Sequence, residues 1–117
     1  KTIEVRTLET NVRGTIYLYT SKVVADIPAA RRAIEDHSLD IDRLPRGCLV
    51  GRVNLVSCRA GARRDADAAC LPAAMMKSRF SWELAEPVRF PEPVRPRFLP
   101  YGVWFYPFRK RNRETSE

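Results

Sequence analysis

Apolar and polar residues alternate from the start of the chain. Between Lys1 and Arg6, Ile3 and Val5 fall on one face and Thr2, Glu4 and Arg6 on the other, the period of a half-buried strand. A polar stretch from Glu9 to Arg13 closes at Gly14. Thr15 to Thr20 (TIYLYT) is then rich in β-branched and aromatic residues, which predicts a second strand. Asp26 and Ile27 precede Pro28, and proline suits a first helical turn because the N–H it lacks has no partner there. Pro28 to Asp36 (PAARRAIED) is therefore a short helix, with Ala29, Ala30, Ala33 and Ile34 inward. Leu39, Ile41 and Leu44 mark a connector ending at Pro45 and Gly47.

Cys48 to Cys58 (CLVGRVNLVSC) carries the longest strand signal. Strict alternation places Leu49, Gly51, Val53, Leu55 and Ser57 on one face, and Cys48, Val50, Arg52, Asn54, Val56 and Cys58 on the other. Apolar groups on both faces suit a central strand, and Gly51 within it suggests a bulge or a close backbone approach. Arg59 to Arg64 (RAGARR) reads as a basic, flexible loop. Asp65 to Met76 leans to helix, broken by Pro72. Phe80 to Leu84 (FSWEL) alternates again as a strand. Pro87, Pro91, Pro93, Pro96 and Pro100 then interrupt any ladder and predict an extended crossing segment. Val103 to Phe108 (VWFYPF) is a final strand, and Arg109 to Glu117 a basic, flexible tail. Five short strands with one or two small helices and no βαβ alternation predict a mainly β or α+β fold. The expected architecture is a small barrel with helices at its rim, one domain over residues 1–108.

Composition adds one unusual quantity. With 117 residues, 44% hydrophobic and 30% charged, the chain has ordinary globular proportions, but 21 basic against 14 acidic side chains leave a net charge of +7. Arginines number 17 and lysines 4. A planar guanidinium suits phosphate, so an anionic partner is one reading; a solvated surface reflecting coding bias is the other. The tail, with four basic and two acidic residues, accounts for +2, which leaves +5 on the body. No run approaches the ~18 apolar residues of a membrane span. Cys48, Cys58 and Cys70 cannot all pair, and ten residues of strand hold Cys48 and Cys58 about 33 Å apart. With His37 the single histidine and no Cys-x-x-Cys spacing, no metal site and no cofactor are expected, and free thiols predict a reducing cytoplasm.

In order along the chain, these features resemble the ASCH domain family of the PUA-like superfold. The family's Gly-x-Lys-x-x-Glu-x-Arg motif is matched in its last three fixed positions by Lys1, Glu4 and Arg6 of KTIEVR. Arg13-Gly14 leading into TIYLYTS is similar to its second strand, and GCLVGRVNLVSC to its glycine-punctuated central strand. FSWELAEPVRF with YGVWFYPF is similar to its tryptophan-containing strand, turn and closing strand. The resemblance implies a PUA-like β-barrel with a cleft for RNA or a modified nucleoside, and a natural segment preceding Lys1. Some relatives hydrolyse an acylated cytidine with a lysine and a threonine three residues on. Lys1 matches that lysine, but Glu4 stands where the threonine would be. Other relatives are associated with ribonuclease activity.

The residues themselves allow two readings of this strand. Glu4 and Arg6 share a face about 6.6 Å apart, while Lys1 projects to the opposite face unless a turn re-aims it. They form either a solvated ion pair or the polar edge of a ligand cleft. In the cleft reading Lys1, Glu4, Arg6 and Trp82 contact the ligand. Trp82 then stacks a base, with Tyr17 and Tyr19 as further stacking candidates, and Arg13, Arg52, Arg59, Arg63 and Arg64 hold RNA phosphates. If the protein is an enzyme, Lys1 and Glu4 are catalytic, with Glu4 as general base or water orienter. The expectation is thus an RNA or modified-nucleotide binding module. The alternatives are a small hydrolase of a modified nucleoside or of RNA, and an interaction domain for an acidic protein partner. His37, beside Glu35 and Asp36, is assigned to the end of its helix.

Overall fold

The computed structural model describes residues 1–109. Four strands form one antiparallel sheet: β1 (Ile3–Arg6), β2 (Gly14–Tyr19), β3 (Leu49–Ala60) and β4 (Phe80–Val94), in the order β1-β4-β3-β2. Two short helices, α1 (Pro28–Asp36) and α2 (Ala66–Ala69), complete a small α+β fold. The long β3–β4 ladder is the frame. β1 pairs with the first part of β4, from Ile3 opposite Glu83 to Arg6 opposite Phe80. β2 pairs with the first part of β3, from Gly14 opposite Leu55 to Tyr19 opposite Leu49. The two short strands therefore occupy diagonally opposed corners of the ladder.

Residues directly opposite in neighbouring strands share a face. Ile3 and Val5 of β1 are buried against Ala66, Ala69 and Met76, so α2 and the turns around it cover one face of the sheet. Alanines at both buried positions of α2 let its backbone come close to the strand, and Thr2 N–H reaches the Ala68 carbonyl at 2.9 Å. Cys70 ends the helix in the left-handed region at φ 59°. Helix α1 starts at Pro28 as its sequence requires. It ends at His37, whose backbone N–H donates to the Ala33 carbonyl at 3.1 Å, while Ser38 N–H donates to the Glu35 carbonyl at 3.2 Å.

Four expectations are corrected. The alternation of β3 is not strict: the register shifts between Leu55 and Ser57, and Val56 is the extra residue. Beyond it, Cys58 lies opposite Trp82 and Ser57 opposite Glu83, so Ser57 leaves the face of Leu55 and Cys58 joins it. Secondly, β3 continues to Ala60, so Arg59 and Ala60 belong to the ladder and not to a flexible loop. The rest of that segment leads into a 3-10 turn at Arg63–Asp65, and helix between Asp65 and Met76 is limited to the single turn of α2 and a further 3-10 turn at Ala73–Met76. Thirdly, β4 runs through Pro87, Pro91 and Pro93. Past Leu84, whose N–H still donates to the Thr2 carbonyl at 2.9 Å, it pairs with β3 alone, so its other edge needs no N–H donors. Glu86, at φ 53°, sits where the register slips between Arg52 and Asn54. Finally, residues 103–108 form no strand. The Pro107 carbonyl instead accepts the Arg97 and Phe98 N–H groups at 2.8 and 3.0 Å, which folds the 97–109 segment back on itself. The tail predicted from Arg109 onward lies, beyond Arg109, outside the described residues. No helix is long and apolar enough to cross a membrane among the described residues.

Candidate nucleotide-binding cleft

The sheet face opposite α2 carries Glu4 and Arg6 of β1 beside Trp82 and Phe80 of β4, because Glu4 pairs with Trp82 and Arg6 with Phe80. Trp82 is anchored from two sides. Its indole Nε1 donates to the Leu8 carbonyl at 3.1 Å. Its ring lies parallel to that of Trp104, centroids 5.6 Å apart and planes within 5°. The 97–109 segment thus folds over this face, and Phe105 meets Tyr19 edge-on at 5.5 Å. Between segment and sheet lies a cavity of about 710 Å³, walled by Trp82, Trp104, Phe105, Tyr17 and Tyr19 and reached by Glu4 and Arg6. That volume falls in the ~300–1,000 Å³ range of small-molecule sites.

Glu4 is the electrostatic centre of the polar end. Its Oε1 lies 3.8 Å from both Lys1 Nζ and Arg6 Nε. Both separations exceed hydrogen-bond length, so the carboxylate is flanked by cations without being locked to either. Lys1 precedes β1, so strand alternation does not govern it, and its stem bends back toward Glu4. It does not line the cavity.

The predicted phosphate contacts are dispersed. Arg13 donates through Nη1 to the Thr10 and Val12 carbonyls at 3.0 and 2.8 Å. Arg52 lies opposite Tyr17 in the β2–β3 ladder and is exposed, as are Arg63 and Arg64 in their turn. Arg59 is engaged internally. It grips Asp65 with both Nη atoms at 2.7 and 2.9 Å, and its Nε donates to Glu83 Oε1 at 2.8 Å. Asp65 is 4% exposed and also accepts from Ser81 Oγ at 2.9 Å and Ala62 N–H at 3.0 Å. The Arg59 guanidinium holds the Asp65 carboxyl well below the usual carboxylate range, outweighing the upward push of burial, with Ser81 and Ala62 assisting. Asp65, followed by Glu83, raises Arg59 in turn, and Arg59 lowers Glu83.

This network lies on the α2 side of the sheet, because Arg59 pairs with Ser81 and Ser57 with Glu83. It ties the turn at Arg63–Asp65 to the central ladder. Sequence reasoning missed Asp65 as its hub and Trp104 as a cavity wall. The available signals were an aspartate three residues after Ala62, at a helix-start spacing, and a second tryptophan in an aromatic run.

Among the described residues no three His, Cys, Asp or Glu side chains converge as metal ligands. Cys48, Cys58 and Cys70 are free thiols. No protein-family model matches the sequence, and comparison with curated proteins gives no significant match.

Proposed function

We propose that the cleft beside β1 binds RNA or a modified nucleotide, in an ASCH-like domain of the PUA-like superfold whose barrel is completed by the 97–109 segment. The observation that carries this reading is the meeting of Glu4 and Arg6 with the aromatic walls of Trp82 and Trp104 around one cavity. An unstacked base needs both elements, a ring to lie on and polar groups at its edge. The excess of +7 supplies attraction for the backbone. Arg52, Arg63 and Arg64, which have no carboxylate partner among the described residues, are the phosphate contacts in this proposal. Binding is favoured over hydrolysis because Lys1, the nucleophile of the hydrolytic alternative, is not part of the cavity wall. Free thiols accord with a cytoplasmic setting.

The test is fluorescence anisotropy with a labelled single-stranded RNA between 50 and 200 mM salt. Three phosphate contacts predict a log–log slope of about −2 and micromolar affinity at low salt. Arg6→Ala weakens binding severalfold. Binding that is absent at low salt, or indifferent to Arg6→Ala, overturns the proposal.

A further inference from the structure

Glu4 allows the ligand to be specified more narrowly, on the assumption that the cleft does take a base. A carboxylate presents two acceptor oxygens side by side. Oε1 of Glu4 makes the nearest approach to the flanking cations, at 3.8 Å from each, and no hydrogen bond occupies either oxygen among the described residues. The side chain is one-third exposed, reaches the cavity, and lies on the same sheet face as Trp82, its cross-strand neighbour. A base stacked along this wall therefore turns its edge toward an acceptor pair.

The four bases differ sharply in what they offer such a pair. Adenine and cytosine each offer one amino N–H beside a ring-nitrogen acceptor, which would face the second carboxylate oxygen and repel it. Uracil offers one N–H between two carbonyls, with the same conflict on both sides. Guanine alone presents two adjacent donors, N1–H and N2–H, matching both oxygens at once. Its remaining edge atom is the O6 acceptor next to N1. Arg6, whose Nε lies 3.8 Å from Glu4 Oε1, is close enough to donate to O6 while the carboxylate takes N1–H and N2–H. The donor and acceptor order of Arg6–Glu4 is thus complementary to guanine and to no other common base.

We propose that the cleft recognises guanine, with Glu4 reading N1–H and N2–H and Arg6 reading O6. The proposal rests on the nucleotide-binding reading and adds to it the identity of the base. Trp104 covers the face of Trp82, so the base takes the place of Trp104 against Trp82, the cross-strand neighbour of Glu4.

The experiment is calorimetric titration of the full chain with GMP, IMP, AMP, CMP and UMP, which share one phosphate and differ in the base. A bidentate contact is worth about tenfold or more in discrimination. GMP is expected to bind at least tenfold tighter than AMP, CMP and UMP, and IMP, which lacks the 2-amino group, severalfold weaker than GMP. The isosteric Glu4→Gln variant, checked for folding by circular dichroism, is expected to lose the preference for GMP and retain weak binding to all five. Equal binding of the five, preference for CMP, or a GMP preference surviving Glu4→Gln overturns the guanine assignment and leaves a base-indifferent cleft. Failure of every nucleotide and of single-stranded RNA to bind overturns the nucleotide reading itself, which separates the two outcomes.

Discussion

Removing the charge of Asp65 is the most demanding test of how the fold is held together. Its carboxylate receives four hydrogen bonds, two from Arg59 and one each from Ser81 and the Ala62 backbone, at 4% exposure. Breaking one partner of a buried ion pair costs roughly 3–5 kcal/mol. Arg59 is one-third exposed and keeps Glu83, which places Asp65→Ala at the lower end, about 3 kcal/mol. Asp65→Asn keeps the shape and one acceptor oxygen and is expected to cost about 2 kcal/mol. Against the ~5–15 kcal/mol of a typical domain these are large fractions.

The acid response follows from the same carboxylate. An unfolded aspartate titrates near ~3.9 and folded Asp65 lies well below that. The stabilisation is therefore complete above about pH 5 and drains away as pH falls through ~4 toward the folded value, because the unfolded chain takes up a proton that the folded one does not. Glu83, also lowered by Arg59, adds to the loss in the same direction. Urea unfolding followed by circular dichroism at pH 7 and pH 3 reads both effects. Asp65→Asn should start lower at pH 7 and fall less on acidification. A variant within ~0.5 kcal/mol of the parent at pH 7, with an unchanged acid response, refutes the reasoning.

Gly51→Ala should destabilise by about 1–3 kcal/mol, since an added Cβ would sit well inside van der Waals contact with the Val88 carbonyl oxygen, which is backbone and cannot swing away; an unchanged melting temperature would show that β3 and β4 are not so close there. Leu55→Ala, at a side chain 1% exposed in the centre of the ladder, should cost about 2–5 kcal/mol in the same melts. A thiol reagent should modify Cys70 first, Cys58 more slowly, and Cys48 only on unfolding; fast labelling of Cys48 in the native protein would contradict its burial.

What could be read from the residues depended on whether a signal was local. TIYLYT and PAARRAIED declare strand and helix by their own composition and a well-placed proline, and both form where expected. The bulge at Val56 has no local signature, because it arises from matching two long strands whose partners are set by the rest of the sheet. The prolines of β4 read as breakers when every strand is assumed to have two neighbours, and are harmless where it has one. VWFYPF has strand composition, but its rings pack on Trp82 and Tyr19, and the Pro107 carbonyl closes a loop with Arg97 and Phe98 in place of a ladder. At the site, KTIEVR made Glu4, Arg6 and their strand legible. Arg59 was misassigned to the loop because its two carboxylates come from separate segments, Asp65 after it in the turn and Glu83 across the sheet.

The diagonal placement of β1 has a consequence for the order of assembly. Its ladder partner is β4 alone, with Ile3 opposite Glu83 and Arg6 opposite Phe80. At ~5–20 residues per second of synthesis, β1 emerges some 4–16 s before its partner exists. Throughout that interval Ile3 and Val5 lack both the strand they pair with and the Met76 they pack on. Docking of β1 therefore waits on β4, as pairing of the β3–β4 frame also does. Because Glu4 and Arg6 ride on this strand, the cavity they line comes together only after β4, more than seventy residues further along the chain, is in place beside them.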